Sequence, residues 1–299
     1  MASGSLKAIL YALGANSGIA IAKTAAAIFT NSGSMMAEAI HSYADCGNQG
    51  LLLLGMKQAK RPESDDHPLG HGRVVYFWSM MVALMLFFVG GAFSVYEGIV
   101  RITHPHPLEH ATTALLVLIA AIGLEAFSLW GAMKALAPER GAQSLLAWFQ
   151  TTRQSELLVV TGEDIAALGG LVIALLGIGL TLLTGNLLFD ALGSIGVGVL
   201  LMLVAIFVLV EIKSLIVGES VSPALRHEIE HFVAAQPEVA QLFRVITLAW
   251  GEHMVIAVKA KMKESTRVDK MVEDINAVEA RMQEKWPSAK WVFFEPDTR

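Results

Sequence analysis

Long apolar stretches separated by short polar segments dominate the first 215 residues of the chain. A helix that crosses the hydrocarbon core of a bilayer needs about 20 consecutive, mostly apolar residues. Six stretches reach that length, and the pattern predicts a membrane-spanning helix in each of them, at about residues 6–29, 35–57, 74–100, 111–135, 157–183 and 187–212. The predicted fold class of residues 1–215 is therefore an all-α, six-helix transmembrane bundle.

The first, second and fifth stretches differ from the others in composition. The first two are rich in alanine, glycine and serine and contain ionisable side chains, and the fifth contains Glu163 and Asp164. Small residues allow helices to approach closely inside a bundle, whereas lipid-facing helices can be uniformly apolar. We therefore expect the first, second and fifth helices to form the inner part of the bundle.

Residues 216–299 are far more charged, and their pattern predicts a separate domain. It indicates, in order, a helix, two strands, a helix and a final strand, at residues 224–236, 243–250, 254–262, 268–286 and 289–294. This αββαβ order predicts a small α+β domain of ferredoxin-like type, with two helices on one face of a three-stranded sheet. A domain of about 80 residues is marginally stable alone, so we expect it to pair with a second copy.

The composition agrees with a lipid environment. Hydrophobic residues make up 54% of the chain and charged residues 16%, whereas soluble domains carry about 25% charged residues. We expect an integral, multi-pass protein of the lipid bilayer with no nucleic-acid partner. The single cysteine, Cys46, excludes an intramolecular disulfide and a multi-cysteine metal cluster within one chain. We interpret it as a packing residue, with a metal thiolate beside Asp45 as the alternative.

The basic residues of the connecting segments predict the orientation. Two of these segments, 58–73 and 134–156, hold most of them, namely Lys60, Arg61, Arg73, Lys134, Arg140 and Arg153. Because cytoplasmic loops are enriched in lysine and arginine, we place both segments and both termini in the cytoplasm, although Arg101 falls on the opposite side. With no recognisable leader or transit peptide, the expected location is a bacterial inner membrane.

Ionisable residues inside the predicted spans indicate a functional site. Charge within the bilayer is costly and usually marks an ion pathway or a proton relay. Glu38, His41 and Asp45 are spaced i, i+3 and i+7 on the second span, which places them on one helical face. An imidazole together with a carboxylate suits Zn²⁺, Fe²⁺, Co²⁺ or Mn²⁺ better than Ca²⁺ or Mg²⁺.

Further ligands for such an ion can come from the fifth span. Glu163 and Asp164 are neighbours, about 100° apart around a helix, so both cannot face one ion. We favour Asp164 as the ligand and leave the role of Glu163 open. Glu38, Asn48 and Gln49 are candidates for outer hydrogen bonds to the ligands. A buried proton relay or a structural ion pair without metal is the alternative for the whole group.

The segment between the second and third spans contains a second candidate site, formed by Asp65, Asp66, His67 and His71. Two histidines four residues apart, with adjacent carboxylates, could bind a metal ion at the entrance to the bundle. The alternative is a polar loop whose glycines and proline set its turns. Spacing alone does not separate these two interpretations.

Two of these motifs together resemble a known family. The run Gly33-Ser-Met-Met-Ala-Glu-Ala-Ile-His41-Ser-Tyr-Ala-Asp45, with Asn48 and Gln49 after it, resembles the second-span signature of the cation diffusion facilitator family. The loop Asp66-His67-Pro-Leu-Gly-His71-Gly-Arg73 is also similar to that family. Glu163-Asp164 and the run Phe93-Ser-Val-Tyr-Glu97-Gly resemble the branch that contains mitochondrial zinc transporters and their bacterial relatives. The resemblance extends over the whole chain.

The resemblance implies a homodimer that exports a divalent transition-metal cation, first of all zinc, from the cytoplasm in exchange for protons. It implies His41, Asp45 and Asp164 as the central ligands, and His67 and His71 with Asp65 or Asp66 as a loop site. The metal is then cargo, and no cofactor is expected. The family's usual fifth-span histidine falls at Val160, so the fourth ligand stays open, and Mn²⁺, Fe²⁺ and Co²⁺ remain alternatives to zinc.

The tail departs from the family pattern. Many members bind a pair of metal ions with histidines on the second tail strand and near the C-terminus, where this chain has Lys259 and Phe294-Glu295. His231 and His253 do not match that pattern. We therefore predict a tail that dimerises without a full binuclear site, and no stoichiometric zinc in an isolated tail fragment.

One structural contact and two other classes of function complete the predictions. Arg73 and Glu219, near the cytoplasmic ends of the third and sixth spans, are predicted to form a charge lock between helices. A membrane enzyme is disfavoured because neither an HExxH nor a Gly-x-Ser-x-Gly motif is present. A metal-sensing or scaffold protein with lost transport is kept as an alternative because of Val160.

Overall fold

The computed structural model describes residues 2–31, 33–105, 111–264 and 267–298. Its first part consists of six long helices and one short one. They are α1 (Ala2–Thr30), α2 (Gly33–Ala59), α3 (Val74–Thr103), α4 (Ala111–Arg140), the short α5 (Leu145–Thr151), α6 (Ser155–Thr184) and α7 (Leu188–Val217). Each of the six predicted spans falls within one long helix.

Four of these helices have the length and composition of a membrane span. Within the described residues they are α3, α4, α6 and α7. Helices α1 and α2 are as long, but their polar content is higher because they contain buried ionisable side chains such as Lys23, Glu38 and His41. The chain is thus an integral membrane protein with a mostly helical first part, as predicted.

Helix α3 contains a π-helical segment, Leu86–Ala92, in its centre. The segment and the following turns lie unusually close to α7. A Cβ atom added at Gly198 would lie 2.6 Å from the carbonyl oxygen of Gly91, and one at Gly98 would lie 2.7 Å from that of Ala191. Only glycine permits such an approach of two backbones. Isolated π-helical turns within α-helices often lie at functional sites.

The short helix α5 is anchored to the bundle by two aromatic side chains. Its Ser144 cap accepts a hydrogen bond from the amide of Ala147. Trp148 and Phe149 are buried, and the Phe149 ring lies edge-on to Phe207 of α7 at 5.7 Å. The helix therefore packs onto the bundle through Trp148 and Phe149.

The tail consists of α8 (Pro223–Ala234), β1 (Val239–Trp250), β2 (His253–Met262), α9 (Val268–Lys285) and β3 (Ala289–Pro296). This αββαβ order agrees with the prediction. The sheet order is β1-β2-β3, with β1 antiparallel and β3 parallel to β2. Alternate β2 residues from Met254 to Met262 are buried beneath the two helices.

The opposite face of this sheet carries an exposed apolar row next to a charged row formed by Arg244, Lys259 and Glu295. Ile246, Ala257 and Phe293 are neighbours across the three strands. The side chains of Ile246 and Phe293 are 50% and 55% exposed. The tail thus exposes two large apolar side chains, Ile246 and Phe293, on this face of the sheet.

The tail is also in contact with the loop that precedes α3. The amide of Gly251, in the β1–β2 turn, donates a 2.9 Å hydrogen bond to the hydroxyl of Tyr76. Gly72 packs so closely on this turn that a Cβ would lie 2.5 Å from the carbonyl oxygen of Trp250. Lys290 and Glu63 add an ion pair at 2.7 Å. These contacts join the tail to the start of the third long helix.

The predicted charge lock between Arg73 and Glu219 is wrong. Glu219 instead pairs with Arg153 at 2.8 Å, and the Nε atom of Arg153 donates to the carbonyl oxygen of Ser220. Arg73 donates to the carbonyl oxygen of Leu215 and lies over the ring of Trp250. The prediction failed because Arg153, in the connection between α5 and α6, lies beside Glu219 and takes the place of Arg73 as its partner.

Candidate metal centre

Helix α2 places Glu38, His41 and Asp45 on one face, and that face points into the bundle. Glu38 and His41 are fully buried, and the side chain of Asp45 is 13% exposed. Their spacing of three and four residues corresponds to one turn of helix at each step. The predicted alignment of the three side chains on one inner face is therefore present in the structure.

The polar atoms of His41 and Asp45 are buried without partners. Within the described part of the chain, neither ring nitrogen of His41 nor the Oδ1 atom of Asp45 has a hydrogen-bond partner. A buried polar group left in this state costs about 1–3 kcal/mol. Proteins rarely retain such a cost, and an unpaired imidazole beside a carboxylate is the arrangement that a bound cation would satisfy.

The separation of these atoms also suits a metal ion. His41 Nδ1 and Asp45 Oδ1 are 3.6 Å apart, which is too long for a hydrogen bond. Two ligand atoms bound to one tetrahedral zinc ion at roughly 2.0–2.1 Å are about 3.3 Å apart. A small adjustment of either side chain would therefore bring both atoms onto one ion.

Helix α6 approaches this face through Glu163. Its Oε1 atom accepts a short hydrogen bond from the Nδ2 atom of Asn48, one turn beyond Asp45. The Oδ1 atom of Asn48 and the Oε1 atom of Gln49 are buried and have no partner among the described residues. Glu163 thus contacts Asn48 of α2, and its role as a metal ligand stays open.

Asp164 lies next to Glu163 and is half-buried. It is close enough to Asp45 for the two negative charges to interact. Val160, one turn earlier, is a half-buried packing residue against the cluster around Leu158 and Ile212. The position at which relatives carry a histidine is therefore occupied by an apolar contact in this chain.

A fixed positive charge lies on the other side of Glu38. The Nζ atom of Lys23 is 3.2 Å from Glu38 Oε2 and donates to the Ser42 hydroxyl at 2.9 Å. Lys23 and Glu38 are 1% and 0% exposed. Gly170 of α6 leaves room for this carboxylate, since a Cβ there would lie 2.5 Å from Glu38 Oε1. The pair therefore connects α1, α2 and α6 beside the centre.

A further carboxylate, Glu125, faces the centre from α4. It is 8% exposed although most of its helix is not covered by other parts of the described chain. Its charge acts on Glu38, Asp45 and Asp164. Four helices thus contribute ionisable groups to one region, and the excess of acids over the single lysine favours a cation there.

The π-helical segment of α3 lies on a further side of the centre. A Cβ atom added at Gly90 would lie 3.7 Å from the Nδ1 atom of His41. Gly90 therefore lies within van der Waals distance of the imidazole. The irregular helix is therefore adjacent to the one histidine of the centre.

No complete set of ligands has come together in this conformation. Among residues 2–31, 33–105, 111–264 and 267–298, no three His, Cys, Asp or Glu side chains are close enough to hold one metal ion. The structure brings His41 and Asp45 together, whereas Asp164 as the third ligand stays a prediction. Cys46 faces Ser17 of α1, with 3.7 Å between sulfur and hydroxyl oxygen, which agrees with a packing role.

The loop histidines are adjacent but face each other. The rings of His67 and His71 are stacked, with centroids 4.3 Å apart. The Nδ1 atom of His71 is buried and lacks a partner within the described residues. Asp65 and Asp66 are exposed beside them. The loop site therefore stays a prediction.

In the tail, an ion pair occupies the place where many relatives have a metal-binding histidine. Lys259 Nζ lies 2.5 Å from Asp297 and 3.4 Å from Glu295. The hydrogen bond that Lys259 donates to Asp297, followed by the charges of both acids, raises the pKa of Lys259 above its usual value. A lysine held in its charged form repels a cation at this position.

The contacts of Glu163 and Asp164 predict unequal effects of substitution. Glu163→Gln keeps an oxygen that can accept from Asn48, so we expect zinc flux to fall only partly. Asp164→Asn removes a predicted ligand charge, and we expect flux to fall at least about tenfold, since even outer partners of metal ligands are worth 10–100-fold. Flux into vesicles measures both, and equal loss in the two variants would contradict these roles.

Sequence reasoning missed several residues of this region. The sequence alone does not indicate that Lys23 pairs with Glu38 or that Glu125 lies near the other acids. It also gave no indication of the π-helical segment. The positions of Lys23 and Glu125 within apolar helices were a signal that both are functional or structural residues of the bundle. Pairing across helices depends on packing, however, and the spacing within one helix contains no information on packing.

Comparison with known proteins supports the same interpretation. The family model of the cation efflux transmembrane domain matches residues 9–217. The mitochondrial proton-coupled zinc antiporter SLC30A9 of Xenopus laevis is 35% identical over 226 residues, 75% of this chain and 40% of that protein. Human SLC30A9 is 33% identical over 73% of the chain and 39% of its own length. Metal tolerance protein C4 of Arabidopsis thaliana is 28% identical over 70% and 46%.

The chain thus spans less than half the length of these relatives. Two of them are antiporters by name, so the prediction of a transporter rather than an enzyme is confirmed at the level of the family. The matched region contains α2, α3, α4 and α6 and Lys23 of α1, and so includes every residue of the centre described above. On the evidence of this match over more than two hundred residues, the chain belongs to the cation diffusion facilitator family of cation efflux proteins.

Proposed function

We propose that the chain is a secondary transporter that exports divalent transition-metal cations, with zinc as the principal cargo, from the cytoplasm in exchange for protons. The observation that carries the proposal is the buried, unpaired set of ligand atoms on His41 and Asp45. The similarity to proton-coupled zinc antiporters supports both the cargo and the coupling ion. An imidazole and carboxylates together favour zinc over Ca²⁺ or Mg²⁺.

The coupling follows from the chemistry of the ligands. Imidazole and carboxylate groups bind a metal ion only in their deprotonated forms. Protons and metal therefore compete for His41, Asp45 and Asp164, and the site carries one or the other across the membrane. The same three side chains are therefore the proposed proton carriers. The carboxylates around the site outnumber the lysine. Their negative charge holds the bound metal ion or proton until the site opens to the other side of the membrane.

We propose that all six long helices cross the membrane. Four have the composition of spans on their own, and the buried charges that make α1 and α2 less apolar contact each other rather than lipid. With six crossings, the basic segments before α3 and after α4 face the cytoplasm together with both termini. The bacterial inner membrane stays a prediction, because the antiporters that the chain resembles are mitochondrial.

We further propose a homodimer that forms through the tail. The row of Ile246, Ala257 and Phe293 on the outer sheet face is apolar, and it is flanked by the charged row of Arg244, Lys259 and Glu295. A second copy of the same face would remove it from water, which is the usual arrangement for a two-fold interface. The contacts of Tyr76 and Gly72 with the β1–β2 turn would then transmit the position of the partner to α3.

Proteoliposomes test the proposal directly. With purified protein in vesicles, we expect external Zn²⁺ to enter and internal protons to leave, and the reverse when the gradients are reversed. Parallel measurements with Mn²⁺, Fe²⁺ and Co²⁺ establish selectivity. Cys46→Ser, next to Asp45 but facing Ser17, is the matched control and should transport normally. If no metal entered these vesicles faster than it enters empty vesicles, the result would instead support a sensor or scaffold protein.

A further inference from the structure

Outside the transport centre, the tail helix α8 carries two exposed histidines one turn apart. His227 and His231 are four residues apart, and their Nε2 atoms are 3.3 Å from each other. The rings stand edge to face, with centroids 4.7 Å apart. The side chain of His227 is 73% exposed, so these nitrogens are open to solvent.

The separation of the two nitrogens matches the spacing of two ligands on one ion. A tetrahedral zinc ion with bonds of roughly 2.0–2.1 Å holds two imidazole nitrogens about 3.3 Å apart. His227 and His231 already have this spacing on a regular helix. A cation could therefore bind at the outer side of the pair without a change in the backbone.

A carboxylate lies beside one of the two rings. Glu230 Oε2 lies 3.4 Å from the Nδ1 atom of His227. Histidines that bind metals usually present their other ring nitrogen to such a carboxylate, which fixes the tautomer. A proton held on Nδ1 leaves the lone pair of His227 Nε2 facing His231. Without metal, the N–H of His231 can donate to that lone pair.

We propose that His227 and His231 form a two-nitrogen binding site for a borderline divalent transition-metal cation such as Zn²⁺. Water completes the coordination shell, since Glu230 is turned toward the outer nitrogen of His227. The site is exposed, so its ion exchanges with the bulk solution, unlike an ion in the buried centre. This site goes beyond the proposed transport function. It also changes the expectation for the tail, from no bound zinc to one labile zinc ion.

The pair is distinct from the other histidines of the tail and from the family's usual tail position. His253, in the β1–β2 hairpin, packs its ring against Trp291 at 6.0 Å. The usual position on β2 holds Lys259 in an ion pair. The matched control variant is therefore His253→Gln, which removes an exposed imidazole of the same domain and leaves α8 unchanged.

The experiment uses the full-length protein in detergent with Asp45→Ala and His67→Gln, so that neither the centre nor the loop contributes. Zn²⁺ binding is measured by equilibrium dialysis, and Cu²⁺ serves as a spectroscopic probe by electron paramagnetic resonance. We expect one Zn²⁺ per chain and a Cu²⁺ spectrum with hyperfine structure from two imidazole nitrogens. Either His227→Gln or His231→Gln should remove both signals, whereas His253→Gln should leave both.

Replacement of Glu230 provides a second test, in which Zn²⁺ binding should weaken rather than disappear. Glu230→Ala should weaken Zn²⁺ binding by about tenfold, as expected for loss of a group that orients a ligating histidine. Zinc binding and a Cu²⁺ spectrum that persist unchanged in His227→Gln and His231→Gln would overturn the proposal. Flux into proteoliposomes by a His231→Gln variant with an intact centre is expected at the wild-type rate, so the tail site and the transport function are tested separately.

Discussion

Replacing Asp45 by alanine is expected to abolish zinc transport while the protein remains folded. The carboxylate is one of the two groups that the structure brings together at the centre, 3.6 Å from the His41 imidazole. Its Oδ1 atom makes no hydrogen bond within the described chain. Its loss therefore removes a ligand but no contact that stabilises the fold. We expect flux to fall by at least about a hundredfold, the upper end of the range for disturbing a metal site.

Two measurements complete this prediction. The midpoint of thermal unfolding in detergent should remain close to that of the wild type, because the buried carboxylate is a cost to the folded state. Cys46→Ser, one residue away, should change neither flux nor unfolding. Zinc flux at the wild-type rate in Asp45→Ala would reject this residue as a ligand, and with it the proposed centre.

Replacing Lys23 by methionine is expected to produce the largest loss of stability. Its ammonium group is buried and lies 3.2 Å from Glu38 and 2.9 Å from the Ser42 hydroxyl. Methionine fills a similar volume but leaves the Glu38 carboxylate buried without its cation. Breaking a buried ion pair from one side costs about 3–5 kcal/mol. We expect a clearly lower unfolding temperature in detergent and a lower yield of folded protein.

The double variant with Lys23→Met and Glu38→Gln tests the cause. It removes both charges together, so most of the lost stability should return. Its zinc flux should remain impaired, because Lys23 supplies the one positive charge described beside the acidic centre. If Lys23→Met alone unfolded at the same temperature as the double variant, the ion pair would contribute nothing to folding.

The sequence predicted the fold well because its signals are local. Six long apolar stretches and the alternation in the tail each specify one element, and each element is present in the structure. The boundaries moved by a few residues where caps decide them, as at Ser222 and Gly185. The π-helical segment of α3 was not predictable from the apolar pattern, and its Gly90 and Gly91 lie in close contact with neighbouring helices.

The site was predictable only in part, for a related reason. The spacing of His41 and Asp45 on one helix fixes their proximity, and the structure agrees. Residues on different helices depend on packing and on rotation about each axis. The contact of Glu163 with Asn48 and the pairing of Glu219 with Arg153 rather than Arg73 are results of that packing. Spacing along the chain does not determine either.

The most direct test of the account is the position of bound metal in the protein itself. Anomalous scattering at the zinc absorption edge, from crystals of the full chain grown with Zn²⁺, locates the ion independently of transport. We predict a peak within bonding distance, about 2.0–2.2 Å, of His41, Asp45 and Asp164. A strong peak in the bundle that has none of these three residues as ligands would contradict the account.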